Sequence, residues 1–329
     1  TEREAGAKLS APKADDVQVL NNGNITLTGK NSAGLATSFG TVTNAGNISS
    51  TGENGVGIYA ADSSIVKNTG SIEVGAKGTA IFAENDLKIG GNSTAISSNK
   101  DINITNTGTI KAKANSTGAY GIYAKNDKTN YANATSTVNH SGNIDLSNAK
   151  SSVGIYTENS ALTSSGNVSV GKDSIAVSAK NSNVDVTAGT YNINKSIAFE
   201  IADLGSKTFK GNAGTLNLGE DSIAYYLKNS NITSSNFIDK LAINPTGKYT
   251  YLYAEDSIVN YKNQKTINSD GSIFTYAKNS DVTFETGNDI SSNNKKVTGI
   301  FSENTATAKN IINKGKINLL GTGSLGIYA

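Results

Sequence analysis

Val56-Gly57-Ile58-Tyr59-Ala60-Ala61-Asp62-Ser63-Ser64-Ile65 recurs, with substitutions, along the chain. Near copies are Val153-Gly154-Ile155-Tyr156-Thr157-Glu158-Asn159-Ser160 and Tyr276-Ala277-Lys278-Asn279-Ser280-Asp281-Val282. The last residues, Gly326-Ile327-Tyr328-Ala329, start another copy and stop inside it, which reads as a segment cut from a longer array. Aligned on Ile58, the equivalent positions are Leu35, Ile81, Ile122, Ile155, Val177, Phe199, Tyr225, Leu252, Thr275, Ile300 and Ile327. From Ile58 onward the spacing is 22–27 residues except for two longer intervals, 41 before Ile122 and 33 before Ile155. Those two are read as loops near 90–101 and 126–137, rich in Asn, Ser, Thr and Lys; the first also leaves room for one degenerate repeat.

The positions within the unit carry the physics. Val56, Val153, Ile175, Ile197, Ile223, Ile273 and Leu325 stand two residues before the register position, and mostly small residues such as Ala60, Ala83 and Ala124 two after it. Strand alternation puts these three positions on one face, expected to be the inner one. Four after the register comes Asn or Asp in every copy from Asp62 to Asn304, suited to a tight left-handed corner and to stacked amide ladders. An apolar residue returns at an offset of seven, as Ile65, Leu162, Val184, Ile232, Val259 and Val282. A second corner reads Asn-x-Gly-x-Ile, as in Asn68-Thr69-Gly70-Ser71-Ile72 and Asn106-Thr107-Gly108-Thr109-Ile110, and a third short strand follows, such as Ile72-Glu73-Val74.

Three short strands and three turns per unit describe one coil of an all-β parallel β-helix, a β-solenoid. The return path between parallel strands then consists of the other two strands of the coil. About 13 coils are expected, right-handed by the rule for parallel crossovers. Residues 1–16 (TEREAGAKLSAPKADD) lack the repeat and read as an N-terminal linker or frayed cap, with the β-helix covering 17–329. The register weakens over 234–250, where Phe237, Leu241 and Pro245 interrupt it, and an irregular coil is expected there.

Composition fits this architecture. Only 36% of the residues are apolar and there are 34 glycines, too little apolar content for a compact core of this length, while the spacing is too regular for disorder. A net charge of +2 with interspersed signs gives no nucleic-acid footprint. The absence of cysteine excludes disulfides and zinc-thiolate sites. No signal peptide or membrane-length apolar run is visible.

The units GIYA-x-[ND]-S and N-x-G-x-I resemble the passenger regions of classical, monomeric type V autotransporters, especially the large fusobacterial surface adhesins, over 17–329. The resemblance implies a monomeric passenger displayed on the cell surface across the outer membrane. It would be attached to the membrane only through a C-terminal barrel outside this segment, and would bind a protein or glycan on host cells or other bacteria. A β-helical polysaccharide-degrading enzyme and a pure spacer carrying a distal binding domain are the competing readings.

No catalytic, metal or cofactor site is expected. His140, the one histidine, is read as a solvent-facing turn residue beside Ser141, without the motif of a serine-protease triad. Gly321-Thr322-Gly323-Ser324-Leu325-Gly326 matches a dinucleotide fingerprint only formally, because it precedes a strand. Glu200 with Asp221, and Glu255 with Asp256, are carboxylate pairs to weigh for sugar cleavage, read as surface acids. The contact candidates are the residues one after the register position: Tyr59, Phe82, Tyr123, Tyr156, Tyr226, Tyr253, Tyr276, Phe301 and Tyr328, interrupted by Ser178 and Glu200. Alternation places them outside, as an aromatic stripe offering apolar area and hydroxyls.

Overall fold

The computed structural model describes residues 17–85, 101–126, 135–262, 264–305 and 308–329. The expected linker at 1–16 and the bodies of both long loops, 86–100 and 127–134, lie outside these residues. All described regular structure is β-strand, and every strand pairing is parallel. Each coil contributes a strand to each of three faces. The first face starts with Gln18–Asn21, the second with Asn24–Leu27 and the third with Ala33–Ser38. The third face is one unbroken twelve-stranded sheet, the long sheet, running to Leu325–Tyr328. Twelve strands make about 11 turns rather than 13. At about 4.8 Å per turn the rod is roughly 50 Å long.

The register position pairs with itself from coil to coil: Leu35 with Ile58, Ile58 with Ile81, Ile81 with Ile122 and Ile122 with Ile155. Ile81 and Ile122 therefore stand on adjacent strands across the 41-residue interval, and no further strand of the long sheet separates them. Register residues from Ile58 to Ile300 are buried, as are Ala60, Ala83, Ala124 and their counterparts two residues on.

Alternation fails at one point. Val56, Val153, Ile175, Ile197, Ile223 and Ile273, expected inside, are only half-buried, and Leu325 is exposed. The residue immediately before the register position is buried instead: Gly57, Ala80, Ala176, Ala198, Ala224, Tyr251 and Phe274. Two consecutive inward residues bend the strand, and the bend throws the position two before the register to the outside. The inner site at the bend is narrow in the early coils. A Cβ on Gly57 would meet the Ala80 carbonyl oxygen at 2.6 Å and the Ile72 side chain at 2.5 Å.

The Asn/Asp corner is left-handed, as expected, at seven of its ten copies. Asp62, Asn159, Asn181, Asp203, Asn229, Asp256 and Asn279 all have positive φ, between 28° and 53°. In the coil of Asp62 the turn is longer, because Ser63 is also left-handed, at φ 47°. Val66 rather than Ile65 consequently enters the core, in register with Val42, Ile104 and Val138.

At the second corner the glycine that most coils carry has a steric cause. A Cβ on Gly108 would lie 2.1 Å from the Gly70 carbonyl oxygen of the coil beneath. Beside it runs a buried ladder: Asn21 Nδ2 donates to Asn44 Oδ1 (2.8 Å), Asn44 to Asn68 (2.8 Å) and Asn68 to Asn106 (2.7 Å). Each amide saturates the next, so the polar row sits inside at little desolvation cost.

The irregular coil is present. Its first-face strand is split into Asn231–Ile232, which pairs with the following coil, and Phe237–Asp239, which pairs with the preceding one. On the second face, Ala242–Pro245 ends its sheet. The Ala242 and Thr246 N–H groups donate back to Gly214 and Leu218 (2.9 and 2.8 Å). Strand alternation therefore turns residue 245 toward the following coil, where proline has no N–H to give. The long sheet crosses this region without a break.

The core changes character two coils before the split one. Before residue 190 it is aliphatic; from there Tyr191, Phe199, Phe209, Tyr225, Phe237, Tyr251, Tyr261, Phe274 and Phe284 fill it. Their ring centroids are 4.8–5.7 Å apart. Within this cluster the buried Asp239 carboxylate accepts from the Tyr225 and Tyr251 hydroxyls (2.6 Å each) and from the Leu241 N–H (3.0 Å). Lys265 reaches the same carboxylate at 2.9 Å. This set ties the split coil to its successor.

Candidate functional site

The long sheet's outer side carries three parallel stripes, and its regular register aligns each one along the rod. The middle stripe holds the expected aromatics. Tyr59, Phe82, Tyr123, Tyr156, Tyr226, Tyr253, Tyr276 and Phe301 are half-buried, and Tyr328 is exposed. They form two stacks. Tyr59, Phe82, Tyr123 and Tyr156 have centroids 4.8–5.6 Å apart and planes within 15° of parallel. Tyr253, Tyr276, Phe301 and Tyr328 stack at 4.8–5.2 Å, and Tyr226 caps them edge-on at 84°. Neighbouring rings cover each other's faces, so the stacks present ring edges and hydroxyls to solvent. Between the stacks stand Ser178 and Glu200, with Ser178 Oγ donating to Glu200 (2.6 Å).

The second stripe is the aliphatic row displaced outward by the strand bend: Val56, Val153, Ile175, Ile197, Ile223 and Ile273, with threonine or Tyr120 in other coils. It forms a groove beside the aromatic ridge, and Tyr120 packs edge-on against Tyr123 within it (5.7 Å, 82°). The groove deepens to a recess of about 340 Å³ between Tyr253, Tyr276, Ile223 and Ile273, rimmed by Asp221 and Lys248.

The third stripe lies three residues after the register and alternates in sign along most of its length: Glu84, Lys125, Glu158, Lys180, then Ala202, then Lys228, Glu255, Lys278, Glu303. Adjacent members bridge at 2.9 Å (Lys125–Glu84), 3.1 Å (Lys180–Glu158) and 2.9 Å (Lys278–Glu255). The alternation was readable from the registered sequence, because like charges in facing positions of stacked strands would repel.

Ridge and charged stripe are coupled. The hydroxyls of Tyr156, Tyr226 and Tyr276 donate to Glu158, Glu255 and Glu303, the first at 2.7 Å. Burial, then hydrogen bonding to the carboxylate, pushes the Tyr156 and Tyr226 phenols up; the Glu303 hydrogen bond, then burial, pushes Tyr276 up to about 12. Hydrogen bonds from Tyr226 and Lys278 hold Glu255 below its ordinary range. Burial pushes Glu158 up, but the bonds from Tyr156 and Lys180 outweigh it and leave it lowered. At neutral pH the surface thus presents protonated phenols beside ionised carboxylates and lysines.

The remaining sequence candidates resolve differently. His140 is buried, not solvent-facing, and ends the asparagine ladder: Asn106 Nδ2 donates to its Nδ1 (3.1 Å), and its Nε2 faces the Asn167 carbonyl (3.3 Å). The direction of the ladder assigns the proton to Nε2. Desolvation lowers its pKa to about 4 against the opposing pull of the Asn167 and Asn106 backbones. Glu200 is engaged by Ser178, Asp221 by Lys248 (2.9 Å) and Glu255 by Tyr226 and Lys278, while Asp256 occupies a corner. The Gly321–Gly326 segment is a turn stacked on the coil beneath, where a Cβ at 321 would strike the Asn294 carbonyl oxygen at 1.7 Å. Among the described residues no group of three His, Asp or Glu side chains converges as a metal site.

A second surface feature was not anticipated. On the second face a shallow polar recess of about 730 Å³ follows Asp145, Ser169, Asn192 and Asn217. Its floor is an amide ladder, Asn244 to Asn217 to Asn192 to Ser169, at 3.1, 2.7 and 2.8 Å. The ladder's amide donors are already committed to one another.

Compared with known protein families, with curated proteins and with solved structures, the chain has no significant match in any of the three.

Proposed function

We propose that this chain is an adhesive rod, a stretch of a surface-displayed passenger that attaches to a protein or glycan on host cells or other bacteria through its exterior. The observation that supports this is the outer side of the long sheet. There a ridge of nine aromatics, an aliphatic groove and an ion-pair ladder run side by side. A soluble rod normally keeps such a face polar, and a contiguous apolar strip with a polar border has the anatomy of a contact surface. Many weak contacts repeated along a stiff rod add up by multivalency. Display across the outer membrane belongs to the same proposal and rests on the resemblance of the repeat units.

The test is binding of the purified chain to cultured host cells and to bacterial cells, and to a glycan array. A variant carrying Phe82→Ser, Tyr123→Ser and Tyr253→Ser is the comparison, since Ser178 shows that serine is compatible with the coil at this position. The expected result is binding that falls at least about tenfold in the variant while far-ultraviolet circular dichroism is unchanged. Absence of binding by the parent chain, while a longer passenger containing it binds, would make it a spacer. Equal binding by parent and variant would place any contact on another face.

A further inference from the structure

The contact face is bordered by charge on both margins, and the two margins are related. One margin is the stripe three residues after the register position. The other is the corner four residues before it, where Lys77, Asp173, Lys195, Asp221 and Lys296 are exposed and left-handed, with φ of 50–59°. Lys248 is exposed at the same place, and Asp221 and Lys248 rim the groove recess, so this corner opens on the same face.

Within one coil the margins are seven residues apart, and wherever both are charged the signs are opposite. Lys77 stands across from Glu84, Asp173 from Lys180 and Asp221 from Lys228. Lys248 stands across from Glu255 and Lys296 from Glu303. Elsewhere at least one side is neutral, as with Lys195 and Ala202 or Ser151 and Glu158. Seven strand residues span about 23 Å, too far for these pairs to meet within one chain.

We propose that the partner of this face is a second copy of the chain, its rod laid parallel and its coils level. The proposal rests on the reading of the aromatic face as a contact surface and names what it contacts. A twofold axis parallel to the rod keeps each coil at its own height and reverses left and right. Each charged corner then meets the oppositely charged stripe of the partner, and all five pairings occur twice. Isologous association requires this kind of self-complementarity.

The same operation sets each rod's ridge into the other's groove; sizes are complementary in five coils, whereas Tyr59, Tyr123, Tyr156 and Tyr276 fall opposite Val56, Tyr120, Val153 and Ile273. Phe82, Tyr253 and Phe301 fall opposite the smaller Thr79, Thr250 and Thr298, while the ridge is lowest, at Ser178 and Glu200, opposite Ile175 and Ile197. Tyr226, which falls opposite Ile223, is the ring turned out of the stack by 84°. An antiparallel pairing would instead bring ridge against ridge. The face measures about 23 by 50 Å, roughly 1,100 Å² per rod, above the roughly 800 Å² per partner of a stable interface. Parallel rods are also what two copies displayed from one surface present to each other.

Sedimentation equilibrium of the full chain tests this with Asp173→Lys, Lys180→Glu and the double variant. Each substitution copies a residue that other coils carry at the same place, such as Lys77 and Lys195 at the corner and Glu84 and Glu158 in the stripe. The parent is expected to dimerise. Each single variant sets like charges together twice across the interface and weakens the dimer at least about tenfold, and the double variant restores it to within about threefold. The urea midpoint of each is read beside it, because Lys180→Glu also loses the bridge to Glu158 within the rod. A parent that stays monomeric up to about 100 μM overturns the proposal. A dimer that the single variants do not weaken, or the double does not rescue, overturns the parallel arrangement. If the rods are monomeric but the triple aromatic variant still loses cell binding, the contact-face reading survives and only the identity of the partner falls.

Discussion

Replacing His140 with asparagine is expected to remove an acid sensitivity from the rod without weakening it at neutral pH. The preceding coils carry Asn21, Asn44, Asn68 and Asn106 in this position, and each after Asn21 receives an amide proton from the coil before. His140 accepts the last of these protons on Nδ1, and it can do so only while that nitrogen is unprotonated. Burial holds its pKa at about 4, against about 6.5 in an unfolded chain. Between these values the unfolded chain binds a proton that the folded chain refuses. The contribution of neutral His140 is therefore complete above about pH 6.5 and is lost as pH falls toward 4, a change of about 3 kcal/mol. Asparagine at 140 continues the ladder and does not titrate. Urea unfolding at pH 7.5, 6.0, 5.0 and 4.5, with hydrogen-exchange protection of Asn103–Asn106 and Ser160–Ser164, reports the effect globally and locally. Carboxylates that titrate in the lower part of this range are common to both proteins, so the difference between them isolates the histidine. Parallel pH profiles for parent and His140→Asn would refute the ladder assignment. So would a loss of more than about 2 kcal/mol in the variant at pH 7.5.

Two further substitutions test the scaffold. Gly108→Ala forces a Cβ to within 2.1 Å of the Gly70 carbonyl oxygen and is expected to cost about 3 kcal/mol by overpacking. Gly23→Ala, in the first described coil, meets nothing nearer than Asn21 Oδ1 at 4.0 Å and should change the urea midpoint little; equal effects would refute the stacking argument. Asp239→Ala strands Lys265 and two buried phenols and is expected to cost about 4 kcal/mol, read as lost protection in Tyr249–Glu255 and Ile258–Tyr261. A loss below about 1 kcal/mol would mean that the cluster does not hold the split coil together.

Much of the architecture was legible because stacking imposes one rule on every coil. The left-handed corner from Asp62 to Asn279 and the outward aromatic stripe both followed from aligning copies on Ile58. The misreadings came from applying period two where the backbone departs from it. Val56 and its equivalents looked inward because they lie two residues from a core position, but the bend at Gly57 makes two successive residues face in. The clue was Tyr120, too large for a narrow interior, and the run of Gly and Ala just before the register. Ile65 was misplaced for a similar reason, since its corner spends two left-handed residues where most spend one. His140 could have been placed by aligning His140-Ser141-Gly142-Asn143-Ile144 with Asn106-Thr107-Gly108-Thr109-Ile110, which puts it in the buried ladder. Asp239 was beyond such reasoning. Its partners Tyr225, Tyr251 and Lys265 lie on three separate strands, and the split coil removes the register that would connect them.

The continuity of the long sheet has a consequence for the aromatic ridge. The first and second faces are broken around the split coil, yet the third pairs in register through all twelve strands. Coils with Ser178 and Glu200 in the outward position hold that register and bury Val177 and Phe199 as fully as their neighbours bury Ile155 and Tyr225. A coil therefore closes without an outer ring. Each stacked ring pair adds about 0.5–1.5 kcal/mol beyond area burial, an amount comparable to what one salt bridge or capping contact supplies, while exposing apolar edges that a soluble rod has reason to avoid. Stiffening explains the stacking of adjacent rings but not the opposite signs of the two charged margins. Ion pairs along each margin, such as Lys180–Glu158 and Lys248–Asp221, stabilise the single rod, but the opposition of sign between the two margins does not, because they lie about 23 Å apart across its face. That opposition becomes useful only when a second surface lies against the first.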